Sequence, residues 1–358
     1  MNPDIKIVLL IPTSKLGGAE KLLRNIAVYY LNRSNRVEIH ILKRTCSSWD
    51  DLETKAQIKY YSNNNIFLGM FKFFCSINFE FHSYLFSSHV LTNCLLGLLK
   101  KMNPKKQLKL ISRESTDVFY RFSGLSLAYY KFLYYISYSS IDLLIFQTST
   151  MSKSFKLNIF KKLNSLNSVT IPNPIIFSDN ETENISKLLT SKYIVSAGRL
   201  IPEKGFDLLI YAFNKFHNNN KDYRLVILGE GKERKSLQKI INSLKLNDII
   251  TLFGHVENPL NYFKTAKICI VSSRIEGFPN VLLEMMSQNT KVISTLCAGD
   301  IEKLEGVLTI NPNSEQEILE ALTSIKNKDT LSTRLLFDKE LKSRSIDKYL
   351  LIINNNLE

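Results

Sequence analysis

The stretch YIVSAGRLIPEKGFDLLIYAFNKFHNN, residues 193–219, decides the fold class. It opens with a short apolar run, turns between Gly198 and Gly205, and continues with apolar residues spaced as on one face of a helix. A strand joined to an amphipathic helix by a tight turn is the repeating unit of a parallel sheet covered by helices. Because the rest of the chain repeats this unit, the sequence predicts an α/β protein.

The same alternation continues on both sides of this stretch. In the first half it predicts strands at 5–12, 37–42, 79–86, 107–112 and 142–147, with helices near 18–32, 88–101, 124–139 and 149–158. In the second half it predicts strands at 193–197, 223–228, 249–253, 268–272 and 291–295, with helices near 205–219, 232–246, 258–265, 280–288 and 314–327. Two runs of such units predict two doubly wound parallel sheets.

Length and composition agree with two domains. The chain has 358 residues, of which 44% are hydrophobic and 22% charged, values typical of folded globular proteins rather than disordered or polytopic membrane chains. The stretch IPNPIIFSDNETENIS interrupts the alternation at 171–186. We therefore expect a first domain over 1–172, a linker over 173–190 and a second domain over 191–334, with a C-terminal helix at about 335–355 able to return to the first.

Cysteines and apolar runs bear on location. The five cysteines form an odd set with no C-x-x-C pair, which favours buried thiols in a reducing compartment. The opening run MNPDIKIVLLIP has no basic leader or cleavage site, so it is interpreted as a strand rather than a signal peptide. No uninterrupted apolar stretch reaches the length of about 18 residues that predicts a transmembrane helix. We expect a cytoplasmic protein.

Positive charge and aromatic residues are concentrated in the first half. Residues 1–175 carry 23 Lys and Arg against 10 Asp and Glu, while the remainder is nearly neutral. Segments 66–86 and 118–138 together hold 17 of the 38 aromatic residues, interleaved with cations. This composition is typical of a surface that meets an anionic membrane. Ordinary aromatic core packing is the main alternative, and a nucleic-acid stacking surface is less favoured, so we expect no nucleic-acid partner.

Strand-to-helix turns are the places to look for a site, because ligands of doubly wound sheets bind beyond the carboxyl ends of the strands. The first such turn, TSKLGGAEK at 13–21, places Gly17 and Gly18 at a helix N-terminus. Backbone N–H groups there can approach an anion closely, and the helix dipole favours negative charge. A tight turn without a ligand would explain the same glycines.

A second turn, AGRLIPEKGFDLLI at 197–210, carries two cations. Arg199 leaves the strand end, and Lys204 follows before Gly205 opens the next helix. Arg supplies a fork of donors and Lys a point charge, so the pair is suited to clamping a diphosphate. An isolated pair of cations on a loop is more often simply solvated.

The third turn, SSRIEGFPNVLLEMM at 272–286, carries two carboxylates. Glu276 lies in the loop and Glu284 about one turn into the following helix, where it is suited to accepting both hydroxyls of a ribose. Glu284 in an apolar helix is costly unless paired or ligated, and a structural salt bridge is the alternative. Further candidates for contact with a sugar or phosphate are Gly277, Phe278, Asn280 and Val281.

The stretch FGHVENP at 253–259 adds a place for a nucleotide base. Gly254, His255 and Val256 follow a predicted strand, where backbone atoms can bond to a base or its ring can stack. The five histidines show no metal-ligand spacing, and no D-x-D appears. We therefore expect no metal.

The order of these motifs resembles that of the group 1 glycosyltransferases, the large family 4 of retaining enzymes with the GT-B fold. The resemblance covers nearly the whole chain and rests on GGAEK, IPNP, AGRLIPEKG, the GEG turn at 229–231 and EGFPNVLLE. It implies two Rossmann-like domains facing across a cleft. It also implies transfer of a hexose or N-acetylhexosamine from a nucleotide sugar, with UDP the expected nucleotide.

The resemblance extends to the acceptor and the location. The GGAEK opening is similar to that of bacterial enzymes that build lipid-linked oligosaccharides or surface polysaccharides, such as lipopolysaccharide, O-antigen or capsule. It implies a lipid-linked or polysaccharide acceptor. Together with the basic, aromatic first half, it implies peripheral attachment to the anionic cytosolic face of the inner membrane.

Individual roles follow from the same resemblance. Arg199 and Lys204 would bind the donor diphosphate, Glu276 the transferred sugar, Glu284 the ribose and Gly18 the distal phosphate. Arg199, Lys204 and Glu276 would be catalytic. The attacking hydroxyl would enter on the face from which the diphosphate departs, and a diphosphate oxygen would take its proton, so no cofactor is expected.

The chain departs from the family pattern after the strand at 107–112, where many members have a His that contacts the transferred sugar. Here ISREST offers Arg113 and Glu114, which become candidates for contact with the acceptor or sugar. The segment SQNTKVISTLCAGDIEKL lacks the usual Gly and Pro before its strand. A sugar-nucleotide epimerase or phosphorylase of the same fold, and a non-catalytic membrane or nucleic-acid binding module, stay open as alternatives.

Overall fold

The structure is a computed structural model that describes residues 5–80, 82–175, 192–256, 258–327 and 329–357. The chain divides into two compact units, Met1–Ile176 with Ser345–Glu358 and Phe177–Arg344. Most of the predicted linker, 173–190, lies outside the described residues.

The described residues of the first unit form a sheet of seven parallel strands in the order β3-β2-β1-β4-β5-β6-β7. The strands are β1 (Lys6–Thr13), β2 (Val37–Lys43), β3 (Gln57–Tyr60), β4 (His82–Ser87), β5 (Gln107–Glu114), β6 (Leu143–Phe146) and β7 (Ser168–Thr170). The helices between them are α1 (Gly18–Leu31), α2 (Ile66–Ser76), α3 (Val90–Met102), α4 (Val118–Arg121), α5 (Gly124–Ser137) and α6 (Ser149–Asn158).

The described residues of the second unit form a six-stranded parallel sheet in the order β10-β9-β8-β11-β12-β13. Its strands are β8 (Lys192–Ala197), β9 (Tyr223–Leu228), β10 (Ile250–Gly254), β11 (Ile268–Val271), β12 (Val292–Thr295) and β13 (Leu308–Ile310). Its helices are α7 (Phe206–Asn218), α8 (Arg234–Ser243), α9 (Leu260–Thr265), α10 (Asn280–Gln288), α11 (Glu315–Ser324) and α12 (Thr330–Ser343).

The C-terminal amphipathic segment forms two helices rather than one. It breaks after α12 at Ser345, whose side chain accepts a hydrogen bond from the Lys348 N–H and caps the last helix, α13 (Ile346–Asn355). Helix α13 belongs to the first unit, where it packs beside α1 with Tyr349, Leu350 and Ile353 buried.

Helices cover both faces of the first sheet. Helices α2, α3, α5 and α6 contribute to the hydrophobic cluster on one face, and α1 and α13 to the cluster on the other. Burial of each large apolar side chain contributes roughly 1.5–3 kcal/mol, so these clusters fix the helices on the sheet. Across the described residues, no helix combines the length and apolar character needed to cross a bilayer.

Each sheet has one point at which the chain changes direction. In the first unit, the chain runs outward from β1 through β2 to β3 and then returns to place β4 on the other side of β1. In the second unit, the corresponding neighbours are β8 and β11. Such switch points leave a crevice at the carboxyl ends of the two central strands, where ligands of open α/β sheets bind. We therefore expect ligands to bind at the turns after β1, β4, β8 and β11.

The predicted fold class, two doubly wound parallel sheets, is confirmed. The strand predicted at 79–86 is described from His82 to Ser87, later than expected. The sequence reasoning missed the short edge strands β3, β7 and β13, and it missed α2 inside the aromatic segment 66–86. Edge strands of three or four residues give too little alternation to be detected.

Candidate functional site

The turn between β8 and α7 brings the predicted cations to the switch point of the second sheet. Gly205 adopts a φ of +63°, and a Cβ there would lie 2.3 Å from the Ser272 carbonyl oxygen, so only glycine fits. The Ser272 hydroxyl donates back to the Lys204 carbonyl oxygen at 3.0 Å. The Arg199 side chain is exposed and makes no hydrogen bond or ion pair within the described part of the chain.

Lys204 forms an ion pair with Glu276 across the switch point. The Lys204 ammonium bonds to Glu276 Oε1, and the two side chains are 15% and 17% exposed. The Ser273 hydroxyl donates to the same carboxylate oxygen at 2.8 Å, and the Glu276 N–H donates to the Cys297 carbonyl oxygen at 2.8 Å. Because an ammonium has three donors, Lys204 keeps donors for a further anion while it is bonded to Glu276.

Two residues that the sequence reasoning missed tie these turns together. Arg274, after β11, forms a two-pronged ion pair with Asp207 of α7, with distances of 2.8 and 2.7 Å. Burial alone would raise the pKa of Asp207, but the hydrogen bonds and charge of Arg274 outweigh it and lower the pKa. The Arg274 guanidinium also donates to the Pro202 carbonyl oxygen at 2.7 Å. A planar fork matched to a carboxylate fixes geometry as well as charge, so this pair aligns Lys204 with Glu276.

Glu284 lies half-buried on α10 as its fifth residue, about one turn into the helix, as the sequence predicted. The helix begins at Asn280 after the N-cap Pro279, and Phe278 before it is 8% exposed, with the Arg344 guanidinium 5.2 Å from its ring centre. Gly277, Asn280 and Val281 are partly exposed at this helix N-terminus. The helix therefore presents backbone donors and Glu284 at the carboxyl edge of β11.

The GEG turn after β9 is shaped by close backbone contacts. A Cβ at Gly229 would lie 1.9 Å from the Gly198 carbonyl oxygen, and one at Gly231 would lie 2.3 Å from that of Leu200. The Gly229 N–H donates to the Gly254 carbonyl oxygen at 2.6 Å. These contacts bring the end of β10 beside the turn that carries Arg199 and Lys204.

The predicted base-binding residues follow directly from that contact. Gly254 ends β10 with a φ of +99° and is buried, His255 is exposed, and Val256 is partly exposed. The structure thus places Arg199, Lys204, Glu276 and these three residues on turns that follow strands of one sheet, and Glu284 on the helix after one of those turns.

In the first unit, the glycine turn after β1 is already occupied by one of its own side chains. The Gly17 N–H donates to Glu20 Oε2 at 3.1 Å, so this donor is engaged in the capping of α1 and is not offered to a phosphate. Gly18 is exposed and begins α1. The other Glu20 oxygen lies 2.9 Å from Nε2 of His89, which follows β4. The sequence reasoning assigned no role to Glu20 or His89.

Arg113 and Glu114 are not exposed to a ligand in this structure. Their relative exposures are 4% and 1%. The Arg113 guanidinium donates to Ser88 Oγ at 2.8 Å and to Asn173 Oδ1 at 2.6 Å. These bonds make Arg113 a support for the strand ends, and the suggested contact with an acceptor or sugar gains no support from the geometry.

Glu114 faces the aromatic interior. Its carboxylate accepts hydrogen bonds from the hydroxyls of Tyr134, at 3.2 Å, and Tyr138, both on or beside α5. Burial raises the pKa of Glu114 to about 7, although the two tyrosine hydrogen bonds oppose that rise. The group is therefore a buried structural acid beneath α5.

Comparison with known proteins finds a family match within the second unit. Residues 178–339, a little under half of the chain, match the family described as Glycosyl transferases group 1. The chain is 31% identical over 170 residues to an uncharacterised glycosyltransferase of Methanocaldococcus jannaschii, an alignment covering 45% of this chain and 41% of that protein.

A second relative is a Campylobacter jejuni enzyme named N-acetylgalactosamine-N,N'-diacetylbacillosaminyl-diphospho-undecaprenol 4-alpha-N-acetylgalactosaminyltransferase. It is 28% identical over 184 residues, 49% of this chain and 50% of the relative. The chain thus spans about half the length of the curated relatives it matches.

A solved structure extends the likeness to both units. Anabaena HepE, crystallised in complex with UDP and glucose, matches with a TM-score of 0.81 at 18% identity, over 98% of this chain and 99% of that one. At this identity the likeness shows the fold, so the GT-B type of two parallel-sheet α/β domains is confirmed.

Proposed function

We propose, from the premise that residues 178–339 form a group 1 glycosyl transferase domain, that this protein is a retaining hexosyltransferase. It moves a hexose or N-acetylhexosamine from a UDP-linked sugar to a lipid-linked or surface-polysaccharide acceptor. The observation that carries the proposal is the Lys204–Glu276 pair at the switch point of the second sheet, with Arg199 exposed on the same turn. A diphosphate needs such cations and a sugar ring needs such a carboxylate.

The donor would bind along the carboxyl edge of the second sheet. Arg199 and Lys204 hold the diphosphate, and Glu284 accepts hydrogen bonds from both ribose hydroxyls. Gly254, His255 and Val256 line the base, at the end of β10. The N–H groups of Phe278, Asn280 and Val281 face the sugar or the phosphates at the start of α10, while Gly277 lets them approach.

Glu276 fits the transferred sugar because its carboxylate is already fixed. Ser273 and Lys204 both donate to one oxygen, Oε1, which leaves Oε2 to accept hydrogen bonds from sugar hydroxyls. Arg274 and Asp207 keep the two turns in register while the donor enters. Because this carboxylate is oriented before the sugar arrives, it need not move when the transition state forms. Such preorganised charges usually make the largest contribution to catalysis.

The reaction then needs positioned reactants and a stabilised leaving group. The bond between the anomeric carbon and the diphosphate oxygen breaks, the acceptor oxygen bonds to the same face of that carbon, and the acceptor proton passes to a diphosphate oxygen. Arg199 and Lys204 stabilise the negative charge that gathers on the leaving diphosphate. No step in this scheme calls for a metal, so we propose that turnover persists in a chelator.

The acceptor assignment is supported by a relative and by the surface of the first unit. The Campylobacter relative is named for transfer to a diphospho-undecaprenol-linked saccharide. Helices α2 to α6 of this chain carry seven Lys and Arg residues and no Asp or Glu. Their solvent faces expose large apolar side chains, including Phe67, Phe71, Tyr120, Leu125, Tyr129, Phe132, Tyr135 and Leu157.

This surface is suited to the anionic cytosolic leaflet of the inner membrane. Cations near such a leaflet contribute about 1 kcal/mol each, and exposed aromatic rings lie well at the headgroup level. Other members of the aromatic segments, among them Phe73, Tyr134 and Tyr138, are buried. Among the aromatic residues of the two segments that the structure describes, five are buried in the core and six are exposed, and we propose that the exposed ones form the surface that meets the bilayer. Nucleic acid is not proposed as a partner.

A donor screen tests the function directly. The purified chain is incubated with a panel of UDP- and GDP-sugars and a lipid extract of the source organism, and release of the free nucleoside diphosphate is measured with and without a chelator. We expect the free nucleoside diphosphate to be released from a UDP-sugar only when the acceptor is present. We expect NMR of the product to show the same anomeric configuration, axial or equatorial, as the donor sugar. Donor conversion that ignores the acceptor would favour an epimerase instead.

A binding experiment tests the site without turnover. UDP affinity is measured by calorimetry for the wild type, for Glu284→Ala and for Glu302→Ala, a carboxylate outside the proposed site in the same unit. Loss of two ribose hydrogen bonds should weaken UDP binding about tenfold or more in Glu284→Ala only. Equal affinities in all three proteins would contradict the ribose assignment, and a chain that ignores UDP altogether would be a binding module of another kind.

A further inference from the structure

The switch point of the first sheet carries a charged pair of its own. Glu20 lies in the first turn of α1, the helix that follows β1, and His89 lies two residues after β4. Strands β1 and β4 are the ones that meet at this switch point. Glu20 Oε1 and His89 Nε2 are 2.9 Å apart. The arrangement repeats the topology of the Lys204–Glu276 pair, which joins the turns after β8 and β11 in the second sheet.

The chain fixes the Glu20 carboxylate firmly. Its side chain is 10% exposed, and its second oxygen accepts the Gly17 N–H at 3.1 Å. A Cβ at position 17 would lie 2.6 Å from that oxygen, so the glycine makes room for the carboxylate. Burial by itself would raise the pKa of Glu20, but the hydrogen bonds and charge of His89, together with backbone donors, outweigh it and lower the pKa. Glu20 is therefore held as a carboxylate.

That carboxylate sets the orientation of His89. A carboxylate can only accept, so Nε2 carries the proton of this bond and Nδ1 is left to face other partners. Nδ1 lies 3.4 Å from the Oγ of Ser115, just beyond β5. This is long for a hydrogen bond to oxygen or nitrogen, so Nδ1 has room for a better donor. The His89 side chain is 33% exposed.

A purely structural role explains these features less well. His89 is the N-cap of α3, yet its side chain makes no capping hydrogen bond. Behind it, the strand ends are already fixed by Arg113, whose guanidinium bonds to Ser88 and Asn173. The switch point therefore has its structural support in a buried layer, while an oriented imidazole stays partly open to solvent above it.

We propose that His89 is a contact residue for the acceptor, whose sugar ring donates a hydroxyl hydrogen bond to Nδ1, and that Glu20 is the positioning residue that holds the ring. This inference rests on the proposed function for its reading as an acceptor site. The ligand chemistry follows from the groups present: an imidazole nitrogen, the Ser115 hydroxyl and a carboxylate suit a polyol, whereas the two cations of the second switch point suit a diphosphate.

A protection experiment tests sugar binding without turnover. The full chain is treated with diethyl pyrocarbonate, and the modification of each histidine is followed by peptide mass spectrometry with methyl α-glucoside, methyl α-galactoside, methyl N-acetyl-α-glucosaminide or UDP present. We expect at least one glycoside to slow the modification of His89 severalfold, and UDP to leave it unchanged. His82, exposed at the opposite end of the same strand, is the internal control and should react equally in every sample.

A kinetic experiment separates contact from structure. His89→Gln, Glu20→Gln and the control His82→Gln are compared for transfer to the lipid extract and for hydrolysis of the UDP-sugar by water. We expect His89→Gln to raise the acceptor KM about tenfold, as for the loss of one oriented hydrogen bond, with hydrolysis and the donor KM unchanged. Glu20→Gln should raise the acceptor KM less, and His82→Gln not at all.

The outcomes separate this inference from the proposed function. Failure of the wild type to bind UDP or to transfer sugar would count against the proposed function, and the protection experiment would still decide whether His89 binds a glycoside. Equal reactivity of His89 with and without every glycoside, or equal loss of hydrolysis and transfer in His89→Gln, would overturn the assignment of His89 to the acceptor. Unfolding curves that match the wild type exclude a folding defect in the variants.

Discussion

Replacing Glu114 with Gln should make the first unit more stable at neutral and alkaline pH. Glu114 is 1% exposed, and its carboxylate is bonded by the hydroxyls of Tyr134 and Tyr138. Burial raises its pKa from an ordinary 4.5 to about 7. Folding therefore disfavours the charged form of this carboxyl, and Gln has the same shape without the charge.

The size of the effect follows from linkage between protonation and folding. A difference of about 2.5 pH units corresponds to about 3 kcal/mol. Because the folded state binds this proton more tightly than the unfolded state, the stabilising contribution is complete below pH 4.5 and is lost as pH rises through about 7. Gln removes that loss, and an imperfect amide hydrogen bond costs about 1 kcal/mol. We expect Glu114→Gln to gain about 2 kcal/mol at pH 8 and to lose about 1 kcal/mol at pH 4.5.

The single tryptophan makes the measurement specific to the first unit. Trp49 is fully buried in the core of that unit, so its fluorescence reports unfolding there. Urea unfolding at several pH values between 4.5 and 8 would be compared for the wild type, Glu114→Gln and Glu53→Gln, the last removing an exposed carboxylate. A difference between Glu114→Gln and the wild type that is the same at every pH would refute the reasoning.

The remaining predictions concern the donor site, a backbone contact and the membrane surface. Lys204→Met should lower turnover about 10²- to 10³-fold in steady-state rates, while urea unfolding should show a change of only about 1 kcal/mol in the free energy of unfolding. A normal rate would contradict the role of Lys204 at the leaving group. Gly229→Ala should destabilise the second unit by about 2–4 kcal/mol because its Cβ meets a carbonyl oxygen at 1.9 Å. The control Gly124→Ala, whose Cβ would lie in open space, should cost about 1 kcal/mol, and circular dichroism would follow the unfolding of both variants. Phe71→Ser with Phe132→Ser should weaken flotation with anionic vesicles about tenfold, since two rings that are 66% and 58% exposed leave the interface; flotation indifferent to both the variant and the salt concentration would contradict the membrane surface.

Local sequence patterns predicted the turns of the second unit well. In the turn before α7, Gly205 has a positive φ and no space for a side chain, so the backbone of this turn requires glycine. Arg199 and Lys204 lie on that turn where the strand-to-helix pattern placed them. Local periodicity fixes the end of a strand and the start of a helix, and a binding turn is made of little else.

The partners of those residues could not be predicted from spacing. Lys204 meets Glu276 across 72 positions of sequence, and Arg274 meets Asp207 across 67. These contacts form because β11 lies beside β8 in the sheet. A single sequence carries no direct signal for the order of the strands. The SSRIEG motif drew attention to its glutamate, whereas Arg274 two positions earlier aligns the site.

The aromatic segment 66–86 shows a second reason why local patterns did not predict the structure. Residues 66–76 form α2 although four of these eleven residues are Phe, which favours strands. Gly69 is the residue that decides the packing, because a Cβ there would lie 2.0 Å from the Leu42 carbonyl oxygen. The helix is held close against β2 at that point, and tertiary contact overrides local preference.

The two switch points suggest how one topology serves two unlike ligands. In each sheet, the crevice between the central strands holds a carboxylate and a nitrogen base from facing turns: Glu276 with Lys204, and Glu20 with His89. The second crevice adds the exposed Arg199, so two cations are available there to a diphosphate. The first crevice pairs its carboxylate with an imidazole instead. Seven of the cations of residues 1–175 lie on α2 to α6, on one face of the sheet and without acidic neighbours in the same helices. Salt screens attraction between exposed charges but affects a hydrogen bond between a sugar hydroxyl and an imidazole far less, so raising the salt concentration should weaken membrane attachment strongly and acceptor-sugar binding at His89 hardly at all.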